Sequence, residues 1–310
     1  QGRENGLLAP GPVSIADLNR DGVSDLVVVN RGGNDILIYL GLGGGHFAAP
    51  RRFFTGTAPE GLSVTDLDRD GWLDLVVTNT GSNDVSILLG QDRAGWSLKT
   101  GPRLRVGERP VSTTVLDVDS NGVADILCVN QGSDSVTLLR GLGGGFFADR
   151  SPPTFATGAA PIRAFVGSFD RTPGYDLVVV NSGSNNLTYD SQFLTGAIAS
   201  RAILTGGIDP VAAVLGDFNR DGYDDVLVAH HGDSRITLLA GAPSGLVLAA
   251  SIVMGNSVRL TDLAVAGTGS GRLQLFLGAE GQGQAVPLTF EFTDSSGGSP
   301  TTGGMTTGVT

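Results

Sequence analysis

The chain has 310 residues, a formal net charge of −11 and 48 glycines, while only 16% of its residues are charged and 6% are aromatic. The acidic balance argues against nucleic acid as a partner, because phosphate backbones are bound by basic surfaces. The glycine content favours short strands joined by tight turns over long helices. Cys128 is the only cysteine, so an intrachain disulfide is excluded, and its apolar neighbours predict a buried, unreactive thiol.

A unit of four predicted strands begins near Pro10 and recurs with a period of about 50 residues. In its first copy, a short strand before residue 17 leads into an acidic loop, and the apolar run 26–29 predicts a strand buried on both faces. The polar turn 30–34, the strand 36–40, a glycine-rich turn and a fourth strand follow. A proline or its equivalent opens each repeat, near residues 10, 59, 110, 161, 210 and 257.

The acidic loop has a fixed nine-residue pattern. In loop 2 (residues 66–74), aspartates stand at positions 1, 3, 5 and 9 and a glycine stands at position 6. Alternate side chains can turn inward to a hard cation, the glycine permits the bend, and the carbonyl of position 7 adds a ligand. Without a cation, the crowded carboxylates would repel one another. The pattern predicts a calcium site.

Loop 1 (17–25), loop 3 (117–125) and loop 5 (217–225) repeat the pattern, so we expect four calcium sites. The predicted ligands are Asp17, Asn19, Asp21, Val23 and Asp25; Asp66, Asp68, Asp70, Trp72 and Asp74; Asp117, Asp119, Asn121, Val123 and Asp125; and Asp217, Asn219, Asp221, Tyr223 and Asp225. Loop 4 (168–176) lacks two of the ligands and has Pro173 for the glycine, which leaves at most a weak fifth site at Asp170 and Asp176. In the sixth repeat Arg272 replaces the ninth-position carboxylate, and we expect no metal there.

Six repeats of four antiparallel strands predict an all-β fold, a β-propeller of six four-stranded blades. The motif Asp-x-Asp/Asn-x-Asp/Asn-Gly-x-x-Asp, followed by Leu-Val-Val-x-Asn, resembles the FG-GAP/VCBS repeat family, whose calcium-loop propellers also form integrin α-subunit heads. The resemblance extends over about residues 10–292. It implies calcium between the first and second strands, and binding or adhesion rather than catalysis.

We expect residues 1–9 to be a lead-in, residues 10–292 the propeller, and residues 293–310 a Ser/Thr/Gly-rich tail. The sixth repeat has three evident strands. The tail could supply the fourth strand and close the blade, or a neighbouring subunit could fill this edge while the tail is donated onward in an assembly. Residues 3–6 are a second candidate for that strand.

Three further features invite other interpretations. His230 and His231 replace the Asn-x of the equivalent turns and could mark a ligand or transition-metal site, although no third ligand is evident. The glycine triplets at 43–45 and 143–145 lack the helix that a phosphate cradle needs, and they predict turns. Residues 186–188 form a glycosylation sequon.

Two classes of function remain open. The first is a non-catalytic, calcium-stabilised binding, adhesion or assembly module outside the cytoplasm, with a bacterial source suggested by one lysine against nineteen arginines. The second is a lectin or polysaccharide-active enzyme. An enzyme of that kind often carries its catalytic acid and base on an insertion, and repeats of 47 to 51 residues leave no room for one. A lectin needs exposed aromatic platforms, whereas Trp72 lies in a metal loop and Trp96 in an outer turn. We favour the first class and expect no catalytic residues.

We expect a protein or glycan partner on the face opposite the metal loops, where the turns after the second strands meet the connections between repeats. The residues expected there are Arg31, Asn34, Asn83, Gln131, Arg163, His230 and His231. No stretch of the sequence is long and apolar enough to span a membrane.

Overall fold

The computed structural model describes residues 8–92, 96–195, 200–254, 258–268, 272–280 and 286–290. The chain divides into two compact units, Gln1–Ala156 and Thr157–Thr310. Antiparallel strands dominate both units, and the helix of the described ranges is the single 3-10 turn Arg31–Gly33. No helix within these ranges has the length and apolarity to cross a membrane.

The first unit contains three sheets whose strands follow chain order. Sheet 1 consists of β1 (Pro10–Ala16), β2 (Asp25–Asn30), β3 (Asp35–Tyr39) and β6 (Arg51–Phe54), with the short ribbon β4 (Gly41–Gly43) and β5 (His46–Phe47) beside it. Sheet 2 consists of β7 (Pro59–Thr65), β8 (Asp74–Asn79), β9 (Asp84–Gln91) and β10 (Ser97–Arg105). Sheet 3 consists of β11 (Pro110–Leu116), β12 (Asp125–Asn130) and β13 (Ser135–Gly143), and β13 pairs with both β14 (Phe146–Ala148) and β15 (Thr154–Ala156).

The second unit repeats the arrangement. Sheet 4 consists of β16 (Pro161–Gly167), β17 (Asp176–Asn181), β18 (Asn186–Asp190) and β19 (Arg201–Leu204). Sheet 5 consists of β20 (Pro210–Gly216), β21 (Asp225–His230), β22 (Arg235–Ala240) and β23 (Val247–Val253). Sheet 6 has β24 (Leu260–Thr268), β25 (Arg272–Ala279) and β26 (Val286–Phe290) within the described ranges.

The predicted all-β fold is confirmed, and each of the first five repeats forms its own sheet of at least four strands. The number of blades stays a prediction. The roles expected for residues 1–7, for the tail 293–310 and for a fourth strand taken from either segment lie outside the described residues, as does Gly269 of the sixth repeat.

A proline opens the first strand in each of sheets 1–5, as the spacing of the repeats predicted. Proline has no N–H to donate, so it fits the first position of a strand better than the interior. A register shift follows the proline in all five sheets and breaks the ladder at that point.

The second strands form the core, as their continuous apolar runs predicted. Strands β8, β12, β17 and β21 are buried at every position. Neighbouring sheets of one unit pack through these strands: Val27 and Val29 of sheet 1 share a cluster with Leu75 and Val77 of sheet 2. The predicted buried thiol is also confirmed, because Cys128 is fully buried and its burial raises the pKa of the thiol.

A buried asparagine ends the second strand in sheets 1–4: Asn30, Asn79, Asn130 and Asn181. The Asn79 side chain accepts a hydrogen bond from the Gly56 N–H at 3.0 Å and donates to the Asp84 carboxylate at 2.7 Å. Asn130 likewise accepts from the Gly107 N–H at 3.1 Å. In sheets 1–3 the asparagine therefore ties the connection that precedes its sheet to the interior of the sheet. In sheet 4 the Gly158 N–H donates to the Thr188 hydroxyl instead, and Asn181 donates to the same hydroxyl.

His230 takes the place of this asparagine in sheet 5. The expectation that its side chain lies on an exposed partner face is wrong, because the residue is fully buried. Its Nδ1 lies 3.2 Å from the Arg235 carbonyl oxygen, whereas Nε2 has no hydrogen-bond partner in the structure as described. Burial lowers the pKa of His230, so the folded protein favours the neutral imidazole.

We predict that His230→Asn reduces the sensitivity of the protein to acid. A histidine whose pKa is lowered by folding contributes stability that is complete above its unfolded value of about 6.5 and is lost as the pH falls below it. Asparagine does not titrate and already occupies this position in four sheets. Thermal melting between neutral pH and pH of about 5 should show a smaller loss of Tm for this variant than for the wild type. His46→Asn, at an exposed site, is the control. Equal pH dependence of His230→Asn and the wild type would contradict the prediction.

Candidate metal centres

The five acidic loops join the first and second strands of sheets 1–5, as predicted. Two positions of these loops have left-handed backbones, position 6 in the four loops with a glycine there and position 4 in all five. The position-6 glycines have positive φ angles that disfavour other residues: 82° at Gly22, 89° at Gly71, 88° at Gly122 and 83° at Gly222. Position 4 is also left-handed in every loop, although it holds an arginine or a serine, for example with φ of 60° at Arg20 and 57° at Arg171.

The ninth-position aspartate closes each loop. Asp74 accepts a hydrogen bond from the Leu67 N–H through Oδ2 at 2.7 Å and from the Gly90 N–H through Oδ1 at 2.7 Å. The same pair of bonds recurs in the other loops: Asp25 with Leu18 (2.9 Å) and Gly41 (2.8 Å), Asp125 with Val118 (3.0 Å) and Gly141 (2.7 Å), Asp176 with Phe169 (3.0 Å) and Gln192 (3.0 Å), and Asp225 with Phe218 (2.9 Å) and Gly241 (2.9 Å). This aspartate therefore has a structural role in all five loops, including loop 4.

The remaining carboxylates converge inside the loops. Asp66, Asp68 and Asp74 each present an oxygen within 4.8 Å of the others, and loop 3 brings together its aspartates of positions 1, 3 and 9 in the same way. The Asp66 Oδ1 atom is buried without a hydrogen-bond partner in the described structure. A buried acceptor without a donor is uncommon in proteins, and a cation among these oxygens would satisfy it. In loops 1 and 5, Asn19 and Asn219 supply amide oxygens at position 3.

The crowded acids have perturbed pKa values. Burial, together with the nearby charges of Asp68 and Asp70, raises the pKa of Asp74 to about 6. Burial, with a smaller contribution from Asp221, raises the pKa of Asp225 to about 6. Without a cation, these loops would hold their negative charge at a cost, which a bound cation would offset.

Loop 3 differs from the other complete loops because an arginine side chain from the third strand binds one of its predicted ligands. Arg140 of β13 donates from Nη1 to Asp119 Oδ2 at 2.6 Å. Arg140 directly precedes Gly141, the glycine that binds the ninth-position aspartate of loop 3. The corresponding residue is uncharged for the other complete loops: Leu40 for loop 1, Leu89 for loop 2 and Ala240 for loop 5. A cation in loop 3 would therefore share Asp119 with the guanidinium.

Loop 4 fills its interior with hydroxyl groups. Asp170 Oδ1 accepts from the Thr172 N–H at 2.8 Å and from its hydroxyl at 2.5 Å, while Oδ2 accepts from the Tyr189 hydroxyl at 2.9 Å and the Ser191 hydroxyl at 2.7 Å. Burial alone would raise the pKa of Asp170, but the hydrogen bonds from Thr172, Ser191 and Tyr189 outweigh it and lower the pKa. Protein donors already satisfy the carboxylate that a fifth metal site would need.

The other candidate sites have ordinary structural roles. The imidazole of His231 lies between two carboxylates, with Nδ1 3.4 Å from Asp209 and Nε2 3.6 Å from Glu280, so the two acids approach opposite ring nitrogens and do not converge on one ion. The predicted glycine-rich turns are confirmed, since residues 43–45 and 143–145 all have positive φ. In the sequon, the Asn186 side-chain oxygen accepts from Asn181 and Ser184.

The residues expected at a partner face have different environments. Arg31, Asn34, Asn83 and Arg163 are exposed, and Gln131 and His231 are partly buried. Asn34 and Asn83 also have a structural role that was not predicted, because each accepts a hydrogen bond from a backbone N–H of the connection to the following sheet: Asn34 from Ala58 at 2.8 Å and Asn83 from Arg109 at 2.9 Å. Their recurrence at one place in the repeat was the available signal.

Trp96 lies in the connection between β9 and β10, which agrees with the outer turn expected of it. Its side chain is buried there, since only 1% of the residue is exposed. Its ring packs edge-on against Phe53, with the ring centroids 6.3 Å apart.

Residues 17–77 and 66–128 each match the profile of the FG-GAP-like repeat. Both matches begin at the first aspartate of an acidic loop and end within the second strand of the following sheet. A comparison with curated proteins finds no match.

Several solved structures share the fold. A protein from Lactobacillus plantarum is 15% identical with a TM-score of 0.65, covering 95% of this chain and 82% of that one. BBS1N, in complex with ARL6DN, is 16% identical with a TM-score of 0.61, covering 93% and 87%. The periplasmic gluconolactonase PpgL of Pseudomonas aeruginosa is 14% identical with a TM-score of 0.60, covering 91% and 81%. At these identities the likeness concerns the fold alone.

We predict that Asp176→Asn destabilises the protein equally with and without calcium. The amide would lose one backbone hydrogen bond of a buried acceptor, at a cost of about 1–3 kcal/mol. The matched variant Asp74→Asn loses the same kind of bond, but in calcium it also loses a predicted ligand, so its cost should be larger in calcium than in EGTA. Urea unfolding in calcium and in EGTA measures how much each variant lowers the free energy of unfolding relative to the wild type. A calcium-dependent loss for Asp176→Asn would show that loop 4 binds metal after all.

Proposed function

This chain carries FG-GAP-like repeats on an all-β fold of the β-propeller type, and we propose that it is a non-catalytic, calcium-stabilised module for binding, adhesion or assembly outside the cytoplasm. The observation that carries the proposal is the interior of loop 2. Three carboxylates converge there, and the buried Asp66 Oδ1 has no donor among the described residues. The donors are all oxygens, which suits a hard cation better than a transition metal.

The four complete loops would hold the ions through the oxygens of positions 1, 3, 5 and 9 and the carbonyl of position 7. When bound, calcium supplies positive charge and a link between the first and second strands, and it has no part in a reaction. The protein's contribution is to set the ligands in place. The ninth-position aspartate is fixed by its two backbone N–H donors, and each of its oxygens keeps capacity for a further interaction.

The alternative, a lectin or a polysaccharide-active enzyme, has less support. Both tryptophans of the chain are covered: Trp96 is buried, and the guanidinium of Arg20 lies 4.6 Å from the centroid of the Trp72 ring. Sugar-binding sites commonly use open aromatic faces. The gluconolactonase among the similar structures is an enzyme, but a likeness of 14% identity carries only its fold to this chain.

The proposed location follows from affinity. Calcium loops of extracellular modules bind at roughly 10⁻⁴ to 10⁻³ M, so they fill only where calcium is abundant. For the partner surface, we favour the turns after the second strands and the first strands beside them. In the first unit, Arg31 is exposed in the turn after β2. In the second unit, Arg163 is exposed on β16, and His231 is partly exposed in the turn after β21. Arg31 is already held by Glu60 at 2.9 Å, which orders it without burying it.

We predict that chelation lowers the melting temperature. A ligand that binds only the folded state stabilises it by RT ln(1 + [L]/Kd), which is about 0.4–1.4 kcal/mol per site at about 1 mM calcium and a Kd of roughly 10⁻³ to 10⁻⁴ M. Differential scanning calorimetry in millimolar calcium and in EGTA measures the shift, and excess magnesium over EGTA serves as the control for ionic strength. If EGTA leaves Tm unchanged, the calcium assignment of the loops is wrong.

The choice between the two classes of function has a separate test. We expect a glycan array and a panel of polysaccharides to give neither specific binding nor cleavage in calcium. The array should be repeated with the triple variant Arg31→Ala, Arg163→Ala, His231→Ala. Binding to a defined class of sugar, or release of oligosaccharides, would favour the lectin or the enzyme instead.

A further inference from the structure

Loops 2 and 5 each receive an arginine from the loop of the preceding sheet. Arg20 comes from position 4 of loop 1 and lies against loop 2, and Arg171 comes from position 4 of loop 4 and lies against loop 5. Each contact lies within one of the two compact units. Position 4 offers no predicted ligand, so the arginine is free to interact outside its own loop.

Arg171 binds the backbone of loop 5 directly. Its Nε donates to the Gly222 carbonyl oxygen at 3.1 Å and its Nη2 to the Asp221 carbonyl oxygen at 2.5 Å. The guanidinium carbon lies 4.1 Å from the centroid of the Tyr223 ring. One side chain thus fixes positions 5, 6 and 7 of the loop. It does so through carbonyl oxygens of positions 5 and 6, which are not predicted ligands, so it does not compete with a cation as Arg140 does in loop 3.

Arg20 takes a similar place at loop 2. Its guanidinium stacks on Trp72 at position 7, and a Cβ atom added to Gly71 at position 6 would overlap its Nη2. The glycine is therefore required twice, for its positive φ and for the approach of the arginine. In loop 5, a Cβ atom on Gly222 would overlap Arg171 in the same way.

Loops 1 and 3 have a different position 7. Val23 and Val123 provide no aromatic ring for a guanidinium. Arg69 of loop 2 approaches loop 3 only loosely, since its Nη1 would lie 3.6 Å from a Cβ atom added to Gly122. The aromatic residue at position 7 and the close arginine therefore occur together in loops 2 and 5. The carbonyl of position 7 is a predicted calcium ligand, so ordering that residue also orders a ligand.

We propose that Arg20 and Arg171 are positioning residues for the cations of loops 2 and 5. Each orders positions 5–7 of the next loop before the ion binds, which lowers the conformational entropy that binding must remove. Loop 4 then has a role without a metal of its own, because it supplies the arginine for loop 5. The inference rests on the proposed calcium function, and it goes beyond that function by ranking the sites: loops 2 and 5 bind divalent cations more tightly than loops 1 and 3.

Loop 2 is the acidic loop that contains a tryptophan, so energy transfer from Trp72 at position 7 should report a terbium ion bound there. Terbium is titrated into the full chain with selective excitation of tryptophan, and calcium is then used to displace it. The midpoint of the titration is compared, not the intensity, since the arginine itself contacts the ring. The variants are Arg20→Ala and Arg20→Lys, of which the second keeps the charge but loses the planar, stacking guanidinium.

Arg220→Ala is the matched control. Arg220 occupies position 4 of loop 5, has the same left-handed backbone with φ of 61°, and precedes the repeat in which no acidic loop is found. We expect Arg20→Ala and Arg20→Lys to raise the terbium and calcium midpoints about three- to tenfold, and Arg220→Ala to leave them unchanged. Hydrogen exchange in EGTA should show faster exchange of the loop 2 amides in Arg20→Ala than in Arg220→Ala.

Each outcome decides between the proposals. Sensitised emission with an unchanged or lower midpoint in Arg20→Ala overturns the positioning role alone, and a lower midpoint would mean that repulsion between the guanidinium and the ion dominates. No sensitised emission from the wild type overturns the calcium function together with this inference. A loss of affinity in Arg20→Ala that is fully restored in Arg20→Lys would assign the effect to charge and contradict the ordering of the loop by the guanidinium.

Discussion

The structure depends on an aspartate whose two oxygens each accept a hydrogen bond from a backbone N–H. In every one of the five loops, this ninth-position residue binds the N–H at position 2 and the N–H sixteen residues further on. The first bond folds the loop, and the second ties it to the end of the third strand. A buried carboxylate is costly unless it is paired or hydrogen-bonded, and here the partners belong to the backbone, so they persist when the neighbouring side chains change.

At the other end of the sheets, buried asparagines in sheets 1–4 and left-handed asparagines in sheets 1, 2 and 4 form hydrogen bonds through neutral amides. Asn79 joins the preceding connection to its sheet, and Asn34 holds the connection to the following sheet. Both are short side chains that satisfy a backbone N–H which the ladder of the sheet leaves open. The two ends therefore bind the backbone through different groups: the ninth-position carboxylate at the loops and asparagine amides at the turns, where Asn79 also donates to the Asp84 carboxylate.

The sequence was sufficient for the all-β fold class, for the proline that opens each of the first five sheets, and for the placement of the acidic loops between first and second strands. These features depend on local patterns: proline at a strand start, apolar runs in second strands, and Asp and Gly at fixed spacing. It was not sufficient for His230, whose position in a polar turn suggested exposure, although a buried asparagine stands there in four other sheets. Nor did it reveal the stacking of Arg20 on the Trp72 ring or the ion pair between Arg140 and Asp119. These contacts join residues that are far apart in sequence. The burial of Trp96 against Phe53 is a contact of the same long-range kind.

Loop 4 separates the two roles of an acidic loop. It has lost the ligands of positions 1 and 5 and the glycine of position 6, yet Asp176 keeps both backbone hydrogen bonds. The hydroxyls of Thr172, Tyr189 and Ser191 meet the carboxylate that would otherwise face an ion, and they lower the pKa of Asp170 where other loops have acids with raised pKa values. The hydrogen bonds that close the loop therefore do not require a metal. By contrast, a bound cation is favoured where three or four acids share one loop without hydroxyl donors. The complete loops retain that electrostatic cost, which is the physical reason to regard them as ion sites and loop 4 as a structural relative.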